Sequence, residues 1–81
     1  MEPWRNAPVS CRAESRSEQR PQRFHYRDRW WPVERVRSEW LESGAAAGDP
    51  VWRMFEVEAD GRIFQLRVER EGWAWSVRRL D

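Results

Sequence analysis

The sequence has very few residues that commonly do chemistry: its 81 residues include one cysteine, one histidine, no lysine and no threonine. Because Cys11 has no second cysteine to pair with, an intramolecular disulfide is excluded, and so is a disulfide-framework domain. Residues 1–12 lack the apolar segment of a signal peptide, and no stretch approaches the apolar length that crosses a membrane. We therefore expect a cytoplasmic protein without membrane contact.

The shortage of nucleophiles and bases argues against an enzyme. A serine or cysteine nucleophile needs a general base within hydrogen-bond reach, and none of the six serines lies beside His25, the only histidine. Cys11 and His25 lie on different predicted strands, and together they cannot supply the three or four ligands of a structural zinc site. The sequence thus predicts a non-enzymatic protein with no catalytic residues, metal, cofactor or small-molecule substrate.

Arginine and tryptophan are abundant. All 15 basic residues are arginine, and the 7 tryptophans are too many for a small chain with 36% charged residues to bury completely. Arg-only usage has two explanations, a GC-rich genome or selection for bidentate contacts with phosphate or carboxylate groups. Residues 12–37 hold eight Arg and four acids, whereas residues 38–81 hold six Arg and nine acids. This asymmetry fits either ion pairing between the two halves or an acidic partner such as nucleic acid.

The first strongly patterned stretch is residues 22–27. Phe24 and Tyr26 alternate with charged residues, which predicts a strand with one buried face. Asp28-Arg29 follows between two aromatic runs, as the turn of a short hairpin would. The hairpin should contribute Phe24 and Tyr26 to the core.

Residues 30–43 allow more than one interpretation. We predict that the hairpin returns as a strand over residues 30–36, with an edge or a bulge at Pro32, which has no N–H to donate to a ladder. Apolar residues spaced three and four apart favour a short helical turn at 38–43 that ends before Gly44.

The last third of the chain predicts an antiparallel meander. Asp60-Gly61 lies between two alternating runs, which is a strong hairpin signal, and Glu71-Gly72 marks a second turn. Each run has one apolar and one polar face, as a sheet with one buried side requires. The predicted strands are residues 51–59, 62–69 and 73–80.

Together these segments predict a mostly β fold. We expect a five- or six-stranded antiparallel sheet that curls into a small half-open barrel, with at most one short helix, because closure protects sheet edges. Residues 1–21 are predicted to be an irregular N-terminal tail with a first short strand at 9–12 and a polar loop at 13–21. Residues 22–81 form the predicted single small β domain, whose small core should make it marginally stable.

Two adjacent tryptophans, Trp30 and Trp31, cannot both face the core of a regular strand, because successive side chains point to opposite faces. Exposed Trp and Arg are typical of interface hot spots. We therefore predict an interaction surface for a protein partner or for a second copy of the chain. The residues of this predicted surface are Trp30, Trp31, Arg27, Arg29, Trp40 and Trp52.

Single-stranded nucleic acid is the alternative partner, since arginines follow a phosphate backbone and exposed aromatics stack on bases. Against it, the alternation of the first hairpin predicts that its aromatics are buried and its arginines form an ordinary outer face. The residues of this alternative are Arg23, Arg27, Arg29, Arg35, Arg37 and Tyr26.

A loose order of aromatic residues, a charged turn, a glycine and a closing hairpin runs through residues 22–81. The residues of this pattern are Phe24, Tyr26, Arg27, Arg29, Trp31, Val33, Val36, Trp40, Gly44, Trp52, Val57, Phe64, Leu66, Trp73, Leu80 and Asp81. The pattern resembles a family of small uncharacterised bacterial domains found near the error-prone polymerase cassette of damage-induced mutagenesis. The resemblance implies an accessory role in DNA repair or replication and supplies no catalytic residues.

Overall fold

The structure is a computed structural model that describes residues 2–12, 19–70 and 72–81. Residues 13–18 of the predicted polar loop and Glu71 of the predicted last turn lie outside the described residues. Within the described ranges the chain forms strands and no helix. The strands are β1 (Arg5–Asn6), β2 (Val9–Arg12), β3 (Arg20–Tyr26), β4 (Arg29–Pro32), β5 (Arg35–Ser43), β6 (Val51–Ala59), β7 (Arg62–Glu69) and β8 (Trp75–Arg79).

These strands form two antiparallel sheets. The five-stranded sheet has the order β1-β8-β7-β6-β5, and the three-stranded sheet has the order β2-β3-β4. The predicted mostly β, antiparallel fold is therefore confirmed. The two sheets do not close into a barrel, and the strands at 51–59 and 62–69 have the predicted bounds.

The chain passes from one sheet to the other at two corners. At the first corner the Ala7 N–H donates to β8, while the Pro8 carbonyl one residue later accepts from β3. At the second, the Val33 N–H donates to β3 and the Glu34 N–H donates to β6. Backbone pairing thus continues through both corners, and the N-terminal strands β1 and β2 belong to the same two sheets as the rest of the chain.

The core lies between the inner faces of the two sheets, the faces that they turn toward each other. Apolar side chains alternate along each strand and point into this core, as the sequence predicts, and the aromatic residues bury the largest areas. The buried residues of this core are Ala7 at the first corner, Phe24, Tyr26 and Trp31 from the three-stranded sheet, and Phe55, Val57, Ala59, Phe64, Leu66, Val68, Trp75 and Val77 from the five-stranded sheet.

Two hairpins turn through two residues that both have positive φ. These residues are Arg27 (48°) and Asp28 (65°) between β3 and β4, and Asp60 (50°) and Gly61 (71°) between β6 and β7. Positive φ at both central positions is what a type I′ turn requires, and its twist matches that of the flanking strands. The first turn therefore lies one residue earlier than predicted, and Arg29 begins β4.

The predicted strand at 30–36 and helical turn at 38–43 are wrong. β4 ends at Pro32, and the single strand β5 (Arg35–Ser43) pairs with β6 throughout. One residue, Arg37, is a bulge, because Val36 and Ser38 lie opposite consecutive residues of β6.

The spacing of apolar residues in β5 explains the error. Val36 lies on the inner face and packs against the core, whereas Trp40 lies opposite Met54 on the outer face. Since both faces of β5 carry an apolar residue and the bulge shifts the alternation, the spacing imitates that of a helix.

Candidate interaction surfaces

Strand register decides which of the two adjacent tryptophans is exposed. Trp31 lies opposite Phe24, so it shares the inner face, is 8% exposed and donates its Nε1–H to the Tyr26 carbonyl at 2.9 Å. Trp30 lies opposite His25 on the outer face and is 43% exposed. Trp31 of the predicted surface is thus a core residue, and Trp30 is the outward one.

Trp30 is flanked by two side chains of β3. The Arg23 guanidinium lies 4.7 Å from the centre of the Trp30 ring, and the His25 ring meets that ring edge-on at 5.5 Å. Arg23 makes no ion pair with any described residue. These three residues, Arg23, His25 and Trp30, form what we call the Trp30 patch, on the outer face of the three-stranded sheet.

The other arginines of the first hairpin and its surroundings are paired within the chain. Arg27 lies 3.6 Å from Glu2, and Arg29 lies 3.3 Å from Asp60. Two further ion pairs, Arg35–Glu58 at 2.8 Å and Arg37–Glu56 at 3.9 Å, join β5 to β6. Exposed pairs of this kind add little stability, but they neutralise the arginines locally. The charge asymmetry of the sequence is thus largely taken up by internal pairing.

Two of these arginines, Arg27 and Arg29, also lie over buried rings. The Arg29 guanidinium is 3.7 Å from the Trp31 ring centre, and that of Arg27 is 5.4 Å from the Tyr26 ring centre. Tyr26 itself is buried, and its hydroxyl donates to Glu2 at 2.9 Å. Its ring therefore offers no stacking surface.

The predicted surface residues Trp40 and Trp52 lie on the opposite side of the molecule, on the outer face of the five-stranded sheet. Both are half-buried. The Arg67 guanidinium lies between two indoles there, 4.3 Å from the Trp4 ring centre and 4.2 Å from that of Trp52. Arg78 lies 4.3 Å from the same Trp4 ring. The structure thus divides the predicted site residues between two faces and the core.

Arg67 has an unusual environment. Burial lowers its pKa, the charge of Arg78 lowers it further, and Glu42 opposes both effects. Its Nε is buried without a hydrogen-bond partner among the described residues, whereas Arg78 donates twice to Gln65. No pattern in the sequence predicts this cluster. Alternation along β7 and β8 could have placed Arg67 and Arg78 on one face, but nothing local indicates that Trp4 covers them.

The structure does not bring Cys11 and His25 together as a catalytic pair. Cys11 lies opposite Pro21 and packs against the core, whereas His25 lies on the outer face beside Trp30. Burial raises the pKa of the Cys11 thiol, which disfavours the reactive thiolate. No group of three or more His, Cys, Asp or Glu side chains in the described part of the chain is arranged to hold a metal.

Comparisons of the chain with protein-family models, with curated proteins and with solved structures gave no match. In the residues that the structure describes, no helix is long and apolar enough to cross a membrane.

Proposed function

We propose that this chain is a non-enzymatic interaction domain of the cytoplasm that binds a protein partner through the Trp30 patch. The observation that carries the proposal is the position of Trp30 between Arg23 and His25, with its indole exposed on a sheet face. Tryptophan and arginine are the residues most enriched at the centres of protein interfaces. Arg23 holds the indole in place, so binding would cost little side-chain entropy.

The distribution of charge favours a protein over single-stranded nucleic acid. Of the arginines in the nucleic-acid alternative, Arg27, Arg29, Arg35 and Arg37 each have an acidic partner in the chain. Only Arg23 remains beside the exposed indole. A backbone-binding groove needs several cations in a row, and one free arginine does not make one.

Support for a place in DNA repair or replication comes from the resemblance over residues 22–81. We propose that the partner is a protein of that machinery, with this domain as its accessory.

Affinity capture followed by titration tests the proposal. Tagged wild-type, Trp30→Ala and Trp73→Ala chains are incubated with extract of the source cells, and the retained proteins are purified and titrated. Trp73 is also exposed and precedes β8 of the five-stranded sheet, which makes its variant the matched control. We expect Trp30→Ala to weaken binding at least about tenfold and Trp73→Ala to leave it unchanged. Equal binding by all three chains would contradict the proposal.

A salt titration with oligo-dT separates the nucleic-acid alternative. If that alternative holds, the wild-type chain binds oligo-dT at low salt, and Trp30→Ala weakens that binding. The logarithm of the binding constant then falls with the logarithm of the salt concentration, with a slope of about −0.7 per phosphate neutralised. Our proposal predicts no measurable oligo-dT binding at the salt concentration at which the protein partner binds.

A further inference from the structure

Strand β5 presents the one long unpaired edge among the described strands. It is nine residues long, pairs with β6 on one side, and ends the order of the five-stranded sheet. The other edges of the two sheets are short: β1 has two residues, and β2 and β4 have four each. β4 also ends in Pro32, which cannot donate to a further strand. An unpaired edge of this length is a template for another strand.

The sequence of β5 is complementary to itself when two copies run antiparallel. Placing Glu39 opposite Glu39 of a second copy sets Ser38 opposite Trp40. Beyond the bulge at Arg37, the same register sets Val36 opposite Leu41 and Arg35 opposite Glu42. Each of these pairs occurs twice, because a twofold axis relates the copies.

The faces of the sheet agree with this register. Arg35, Ser38, Trp40 and Glu42 lie opposite outer-face residues of β6, whereas Val36, Glu39 and Leu41 lie opposite inner-face residues. Paired residues of an antiparallel ladder must share a face, and each pair in the register does so. The bulge is required for this match, since without it Arg37 would take the place of Val36 opposite Leu41.

We propose that two copies of this chain associate through β5, which joins their five-stranded sheets into one continuous sheet. The contact would form two Arg35–Glu42 ion pairs. It would also cover Leu41, which is 58% exposed in the single chain, with Val36 of the second copy. Arg35 already pairs with Glu58, but its guanidinium has five N–H donors and can hold a second carboxylate.

Glu39 on the twofold axis does not prevent the contact. Like charges directly opposite each other are destabilising, but each Glu39 carboxylate already lies 3.8 Å from Arg20 and 3.6 Å from Arg53 of its own chain. These two cations neutralise the pair of acids. The charges of β5 are complementary to themselves in this register, which favours a second copy of the chain as the strand that pairs with this edge.

Sedimentation of charge-reversed chains tests the proposal. A single strand pair is smaller than a standard interface, so we expect a wild-type dimer with a Kd on the order of tens of micromolar. Arg35→Glu and Glu42→Arg should each weaken self-association at least about tenfold, because each opposes like charges at both ends. An equimolar mixture of the two variants should associate again, since residues 35 and 42 then carry opposite signs in both of their pairs.

Two further variants complete the test, one as a control and one on the edge itself. Arg29→Glu makes the same charge change and breaks an exposed ion pair, but lies off the edge, so it should leave the Kd unchanged. Leu41→Glu alters an exposed side chain without an ion pair and should weaken self-association, with far-UV circular dichroism confirming the fold.

The proposal is overturned by a wild-type chain that stays monomeric well above that concentration, or by charge-reversed variants and mixtures that associate no differently from wild type. It is independent of the Trp30 patch, which lies on the other sheet. Dimerisation that Trp30→Ala abolishes would therefore place the contact at that patch and contradict pairing through β5.

Discussion

Phe64 is the residue at which the two sheets meet. Its ring lies edge-on to Phe24 at 4.9 Å and to Tyr26 at 5.2 Å, and is tilted against Trp31 at 5.2 Å, with the distances measured between ring centres. Such contacts add to the hydrophobic effect of burying the ring. One side chain of β7 thus holds three aromatics of the first hairpin.

Phe64→Ala should cost about 3–5 kcal/mol of the free energy of unfolding, because it leaves a cavity among rings that cannot collapse into it. A domain of this length is stable by roughly 4–12 kcal/mol in all, so the variant should lose a large fraction of its stability. Urea denaturation measures the loss. Trp30→Ala removes a larger but exposed ring and should cost far less, so an equal loss in both variants would contradict this packing.

Glu2 fastens the N-terminal segment to the domain. Burial raises the pKa of its carboxyl, but hydrogen bonds from the Tyr26 hydroxyl and the Arg79 N–H and the nearby arginines outweigh burial, so the pKa lies below its ordinary value. A carboxyl with a lowered pKa in the folded state stabilises the protein above its unfolded pKa. That stabilisation is lost as the pH falls through the folded value.

Glu2→Gln should therefore be less stable than wild type near neutral pH, by roughly 1–2 kcal/mol. The difference should shrink as the pH is lowered from about 6 to about 3. Thermal unfolding of both chains across that range measures it. A difference that stays constant with pH would show that the carboxylate charge of Glu2 plays no part.

At the scale of elements, the strands with regular alternation were predictable and the irregular ones were not. β6 and β7 have their predicted bounds because period-2 patterns flank Asp60-Gly61, a strong type I′ signal. The first turn lies one residue earlier than predicted, because nothing in the sequence around Arg27 indicates that it adopts a positive φ. β5 differs from its prediction because its bulge at Arg37 and its two apolar faces depend on neighbouring strands, which no local pattern reveals.

The two turns allow a paired prediction. Gly61 has a φ of 71° and open space where a Cβ would lie, so Gly61→Ala should cost about 1 kcal/mol through backbone conformation alone. Asp28, at a φ of 65°, pays that same conformational penalty in the wild type. Asp28→Gly should raise the free energy of unfolding, by up to about 1 kcal/mol. Urea midpoints that move in the reverse directions would contradict the turn geometry.

At the scale of the whole molecule, the pairing of distant strands determines which side chains are buried and which contact each other. Because Trp31 lies opposite Phe24, Trp31 is buried and Trp30 is exposed. No local sequence pattern predicts which of these two tryptophans faces the core. The asymmetry of charge allows either internal pairing or an acidic partner, and pairs such as Arg35–Glu58 across two strands show that internal pairing takes up part of it. The contact of Trp4 with Arg67 joins distant parts of the chain and was likewise invisible to local reasoning.

Photo-crosslinking in living cells tests the central claim, that the Trp30 patch binds a protein, most directly. One photoreactive residue replaces Pro32, which lies on β4 two residues after Trp30 and on the same exposed face. Another replaces Arg62, at the β6–β7 hairpin, and serves as the control. We predict a crosslink to one protein from position 32 that is absent from position 62 and lost when Trp30 is replaced by Ala. Crosslinks from position 32 to nucleic acid alone, or a pattern that Trp30→Ala leaves unchanged, would contradict the account.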